Sequence, residues 1–140
     1  MSRIQFFFED VTYKIVNPIK TRRWIEALVR EEGFELNLVN YIFCSDEYLL
    51  QMNREYLDHD YYTDIITFDN SEDESQIEGD IFISLDRVFD NAAAEGVKGD
   101  EELRRVLAHG VLHLCGYNDH SDEEKAQMRT KENYYLQQFK

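Results

Sequence analysis

His109-Gly110-Val111-Leu112-His113-Leu114-Cys115-Gly116-Tyr117-Asn118-Asp119-His120 carries three of the four histidines in this 140-residue chain. His109 and His113 lie four residues apart, a little over one helical turn, so both imidazoles leave the same helix face. A divalent metal needs that geometry when two of its ligands come from one helix. Gly116 then breaks the helix, and the chain can bend back to bring Asp119 or His120 to the same point. Three protein ligands and one open position describe a catalytic zinc site, whereas a structural site more often uses four ligands with several cysteines. Two histidines at this spacing are often only a surface feature of an amphipathic helix. The break at Gly116 and the ligand types that follow it set this stretch apart.

The helix that bears the pair is predicted over Asp100 to Cys115. Leu103, Val106, Leu107, Gly110, Val111 and Leu114 form one apolar stripe with helical spacing. His109 and His113 sit beside that stripe, at the rim of a core where a cleft would open. Leu112 lies on the opposite side, so the helix is expected to be buried on more than one face.

Working outward, Ile4 to Ile15 reads as extended structure, rich in aromatic and β-branched residues. A helix is expected from Thr21 to Glu32, capped by Thr21 and stopped by Gly33. Asn37 to Cys44 reads as a strand. Ser45 caps the next helix, with Asp46 and Glu47 favourable in its first turn. Asp64 to Phe68 and Gly79 to Ser84 are short strands. Between them, Asn70 to Gln76 is an acidic, serine-bearing connection. Leu85 to Gly96 is helical, and a last helix runs from Ser121 to Phe139. Ser121 followed by Glu124 makes a capping-box pattern. The sum is an α+β fold of one domain over residues 1–140, with a small mixed sheet of about four strands packed with about five helices.

Fifteen basic residues against 29 acidic ones give a net charge of −14, which argues against a broad basic nucleic-acid footprint but not against a small local one. No stretch approaches a membrane span, and Phe6-Phe7-Phe8, followed by Glu9 and Asp10, is too short and too acidic for a signal peptide. Cys44 and Cys115 show no CxxC pairing and read as reduced thiols, Cys115 as a small buried apolar residue. A cytoplasmic location is expected.

Three stretches, in order, carry a resemblance. His109-Gly110-x-Leu112-His113-Leu114-x-Gly116-Tyr117 resembles the HGxLHLxGYDH signature of the YbeY family of bacterial endoribonucleases, the rRNA maturation factors. Asn53-x-x-Tyr56 followed by Thr63-Asp64-Ile65-Ile66-Thr67-Phe68 is similar to the family's N-x-x-Y … T-D-V-L-S-F stretch, and Gly79-Asp80-Ile81 to its G-D-I strand. The resemblance spans Asn53 to His120. It implies a small mixed sheet packed on helices, with the metal-bearing helix of a zincin-like site. It also implies one zinc ion, though another divalent metal is possible. The activity implied is cleavage of single-stranded RNA during maturation of small-subunit ribosomal RNA and in ribosome quality control, with the ribosome or a ribosomal protein as partner.

Two features depart from the family pattern. The register of its third ligand falls on Asp119, while imidazole chemistry favours His120; both are zinc-ligand types, and both are kept as candidates. The family's arginine after the tyrosine is Leu57 here, which cannot hold a phosphate. Arg54, one turn earlier, is the candidate substitute, so the expected catalytic set is His109, His113 and Arg54. Zinc with an open position lowers the pKa of its water to about 7. Either that water or the RNA 2′-hydroxyl can then be the nucleophile. Asp64 and Asp80 can orient ligand imidazoles or be ordinary strand-end acids, and the second reading is favoured. His59, within Asp58-His59-Asp60, reads as a surface residue. Thr63 and Thr67 suit strand propensity without any role at the site.

Two rivals stand beside the nuclease. A zinc protease carries glutamate directly after the first histidine as general base, and Gly110 has no side chain to serve. A metal-stabilised ribosome assembly factor that binds RNA or a ribosomal protein without cutting remains open, because an acidic face suits a basic partner.

Overall fold

A computed structural model describes residues 2–59 and 62–139, so Asp60 of the polar stretch around His59 lies outside the described residues. The chain runs β1 (Ile4–Phe8), α1 (Pro18–Glu31), β2 (Glu35–Cys44), α2 (Asp46–Tyr56), β3 (Ile65–Asp69), β4 (Gln76–Ser84), α3 (Leu85–Glu95), α4 (Gly99–Leu114) and α5 (Asp122–Gln138). The sheet order is β1-β2-β4-β3. β1 pairs parallel with β2, β2 parallel with β4, and β3 antiparallel with β4. This is the mixed four-stranded sheet with five helices that the sequence predicts.

Local chemistry accounts for most boundaries. Ser45, Ser84 and Ser121 each accept a backbone N–H of the helix they precede, and Ser121 with Glu124 completes a capping box. Gly96 takes the left-handed conformation that ends α3.

Several boundaries move from their expected places: β4 begins at Gln76 rather than Gly79 and β2 at Glu35 rather than Asn37, and two further shifts have clear local causes. The helix assigned to Thr21 starts at Pro18, because proline is pre-set for the first helical position and Asn17 takes the cap at φ 50°. Thr21 is buried inside the first turn, and its hydroxyl donates back to the Asn17 carbonyl at 2.9 Å. The strand expected to reach Ile15 ends at Phe8. Its partner β2 ends at Cys44, and Asp10 turns away to accept the Ser45 N–H at 2.8 Å. A strand without a partner ladder leaves its backbone unpaired, so the pattern of residues beyond Phe8 does not suffice to extend it.

The main core lies between one sheet face and the helices. Ile4, Ile25, Leu28, Val39, Tyr41, Phe43, Ile81, Ile83, Val88, Leu107, Val111, Leu112 and Tyr135 are all essentially inaccessible there. The predicted stripe on α4 is buried throughout, and so is Leu112 on its other side. Tyr41 crosses this core, and its hydroxyl donates to the Leu107 carbonyl at 2.9 Å, pinning α4 to β2. A smaller cluster of Cys44, Leu49 and Ile66, with Tyr48, Met52, Phe68 and Phe82 against it, covers the other sheet face beneath α2. Among the described residues no helix is long and apolar enough to cross a membrane.

Two glycines set how closely α4 approaches the sheet. A methyl group on Gly110 would lie 2.9 Å from Ile81 Cγ2 and 3.0 Å from Ile65 Cδ1. One on Gly79 would lie 2.5 Å from the Phe68 carbonyl oxygen and 3.0 Å from Leu114 Cδ1. The glycine that follows His109 thus lets the histidine-bearing helix sit close on β3 and β4.

Candidate metal centre

His109 and His113 project from the last turns of α4, and their rings meet edge to face with centroids 4.5 Å apart. Their Nε2 atoms are 3.0 Å apart. Gly116, at φ 105°, reverses the chain after the helix. That reversal returns Asp119, whose Oδ2 lies 3.3 Å from His109 Nε2 and 3.5 Å from His113 Nε2. The three side chains offer ligand atoms that all lie within 4.8 Å of one another, a group that could hold a metal ion. His120 is exposed and is not part of this group. Of the two candidates for the third position, the fold brings Asp119 to the histidines.

The far side of each ring fixes its tautomer. His113 Nδ1 faces the Tyr117 carbonyl at 2.9 Å. A carbonyl only accepts, so that nitrogen must carry the proton. His109 Nδ1 faces Glu132 Oε2 at 2.6 Å. Burial works against ionised Glu132, but its bonds to His109 and Arg105 outweigh that and hold it below the usual glutamate range. An ionised carboxylate also only accepts. When both rings are neutral, their Nε2 atoms therefore point lone pairs at one spot, where the Asp119 carboxylate adds a third. Three such acceptors repel one another unless a cation, a metal ion or a proton on one ring, stands between them. Two imidazole nitrogens and one carboxylate oxygen suit a borderline divalent ion such as zinc.

The same charges act on the rings without an ion. Burial would lower the pKa of His109, but Glu132, then Asp119 and Asp64, raise it above the ordinary histidine value. His113 is lowered, by burial and then by its neighbour His109.

Glu132 is a residue of the candidate centre that the sequence reading did not single out. It sits on α5, is 4% exposed, and also accepts from Arg105 at 2.9 Å. Arg105 in turn donates to Asn133 at 2.8 Å. The signal was present. Met128, Glu132 and Tyr135 are the residues α5 buries, and they follow one another at helical spacing. A carboxylate on the apolar stripe of a helix is rarely buried without a partner.

The centre opens into a cavity of about 310 Å³ that Asp64, His109, Asp119 and Glu132 line together with Arg105, Lys125 and Arg129. Asp64 is thus beside the centre, its carboxyl pushed up chiefly by burial. Asp80 is elsewhere: it accepts from Asn40 at 3.0 Å and Asn70 at 3.3 Å and lines a separate cavity beneath α2. Arg54 is exposed near the end of α2 and is not among the residues lining the metal cavity. His59 is exposed as expected, and Thr63 donates to the Ile65 carbonyl at 3.4 Å.

Comparison with known proteins identifies the family. The profile of the family described as Endoribonuclease YbeY matches residues 8–140. The Endoribonuclease YbeY of Cytophaga hutchinsonii is 57% identical over 133 residues, covering 95% of this chain and 93% of that protein. That of Flavobacterium johnsoniae is 50% identical, covering 95% of each. The solution structure of a Thermotoga maritima structural-genomics target is similar with a TM-score of 0.70 at 26% identity, over 97% of this chain and 88% of that one. On a match that spans residues 8–140, this chain belongs to the YbeY endoribonuclease family.

Proposed function

We propose that residues 1–140 act as one domain, a metal-dependent endoribonuclease of ribosomal RNA maturation that cleaves single-stranded RNA around one zinc ion. The ligands in this reading are His109, His113 and Asp119, and Glu132 and the Tyr117 carbonyl keep the two imidazoles aimed. The observation that carries it is the convergence of three acceptor atoms, two of them imidazole nitrogens whose tautomers are fixed from behind. Bound there, a divalent ion supplies Lewis acidity toward a phosphodiester.

The chain's own cations supply the rest. Three line the metal cavity. Arg105 is committed to Glu132 and Asn133. Lys125 is exposed, and Arg129 reaches Glu95 only at 4.0 Å with both side chains half exposed. Lys125 and Arg129 are therefore the groups available to a phosphate near the centre, in a chain that carries Leu57 where the family pattern has an arginine. Arg54 is a candidate for holding RNA beyond that cavity. The substrate is ribosomal RNA precursor, the setting cytoplasmic, and the partner the ribosome or a ribosomal protein, which also accommodates the acidic surface.

The test is metal content measured together with cleavage of ribosomal RNA precursors, with and without chelator. Near-stoichiometric zinc is expected, lost in His109→Ala, His113→Ala and Asp119→Ala but retained in His120→Ala, with cleavage that chelator abolishes. Lys125→Ala and Arg129→Ala should keep the metal, weaken RNA binding and each flatten its salt dependence by a slope of about 1. Full zinc occupancy with no cleavage of any RNA, on or off ribosomal particles, would sink the nuclease reading.

A further inference from the structure

The loop that leaves α4 is held at two points. Its backbone offers the Tyr117 carbonyl to His113, and the Tyr117 ring reaches the other way, where its hydroxyl donates to Glu32 Oε1 at 2.7 Å. Glu32 is the residue that ends α1, and its side chain is only 8% exposed. Its second oxygen accepts from Lys131 Nζ at 3.1 Å and from the Tyr135 hydroxyl, both on α5. Lys131 also lies 5.4 Å from the centre of the Tyr117 ring. One buried carboxylate thus joins the end of α1, the metal loop and α5 through three donors. Two residues past Tyr117, the same loop delivers Asp119.

We propose that Glu32 and the Tyr117 hydroxyl are positioning residues for the metal centre: they anchor the loop so that the Tyr117 carbonyl orients His113 and Asp119 stays in reach. The proposal rests on reading His109, His113 and Asp119 as the ligands. A metal ligand held by a well-placed outer partner binds more tightly, because its ring is already turned to the productive tautomer and angle. Among the described residues, Glu32's hydrogen bonds go to Tyr117, Lys131 and Tyr135 and not to the ligands. Its effect passes through Tyr117, whose side chain it grips and whose backbone faces His113.

The shared carboxylate provides an internal control. Tyr117 and Tyr135 each place one hydroxyl on Glu32, so removing either deletes a hydrogen bond of the same kind. Only Tyr117 belongs to the metal loop. A purely structural role for Glu32 would make the two deletions equivalent. A positioning role would separate them.

The experiment compares Tyr117→Phe, Tyr135→Phe and Glu32→Gln in the full chain, reading zinc affinity by competition with a chromophoric chelator and stability by thermal unfolding. Tyr117→Phe should weaken zinc binding by about tenfold or more, the loss expected when an outer partner of a metal ligand is released. Tyr135→Phe should lower the unfolding temperature comparably and leave zinc affinity unchanged. Glu32→Gln should follow Tyr117→Phe in affinity. Wild-type affinity in Tyr117→Phe, or equal losses in both tyrosine variants, overturns the proposal. Wild-type zinc affinity in His113→Ala would instead remove the ligand assignment itself, and the proposal with it.

Discussion

At Gly79 and Gly110 a hydrogen in place of a methyl group decides how near α4 comes to the sheet, and the two positions differ in what stands opposite. Around Gly110 the obstacles are the branch tips of Ile81 and Ile65, which can yield by small rotamer shifts. Overpacking of that kind costs about 1–3 kcal/mol, against which alanine regains about 1 kcal/mol of helix propensity. Around Gly79 the obstacle is the Phe68 backbone carbonyl at 2.5 Å, which moves only if the β3–β4 ladder moves. Gly79→Ala should therefore destabilise by more than about 2 kcal/mol and Gly110→Ala by less, as measured by denaturant unfolding. The reverse order would mean that α4 cannot yield over Ile81. At this scale the sequence is readable in part. His109 and His113 declare themselves by spacing, but the choice between Asp119 and His120 does not. Neighbouring residues in a turn point different ways, and only the path after Gly116 settles which one faces the histidines.

Among the elements, α5 contributes most to the site relative to what its sequence announces. It brings Glu132 to His109, Lys131 and Tyr135 to Glu32, and Lys125 and Arg129 to the cavity. Its start is fixed by the Ser121–Glu124 capping box, with Asp122, Glu123 and Glu124 in the first turn complementing the helix dipole. Ser121→Ala should cost about 1 kcal/mol, a fall in unfolding temperature of roughly 3–5 °C by calorimetry. An unchanged temperature would show that the acidic first turn suffices alone. The capping box, the stripe on α4 and the serine caps of α2 and α3 are legible because each involves residues a few positions apart. The limits of β1 are not, because a strand ends where its neighbour stops offering hydrogen bonds, and that neighbour is β2, some thirty residues on.

Over the whole molecule, the Glu32 carboxylate ties the end of α1 to the metal loop and α5, and its titration should be visible in global stability. Burial acts to raise its pKa, but the hydrogen bonds from Tyr135, Tyr117 and Lys131 outweigh it, so the folded value lies below the ordinary 4.5. A carboxyl lowered on folding stabilises fully above its unfolded pKa, and that contribution is lost as pH falls through the folded value. The wild-type chain should therefore lose more stability than Glu32→Gln on acidification from about pH 6 to pH 3, the difference opening below about pH 4.5. Parallel loss in both would show that the carboxylate is not ionised in the fold. The sequence by itself determined the elements, the mixed α+β class and the helix that carries two histidines one turn apart. These follow from periodicity, capping and turn chemistry, which act between near neighbours along the chain. The approach of Asp119 to the two histidines, the carboxylate behind His109, the anchor behind Tyr117 and the cations beside the cavity were decided only by the tertiary structure. Each is a meeting of residues from different elements, and such meetings depend on how helices settle on a sheet, at distances set here by two glycines.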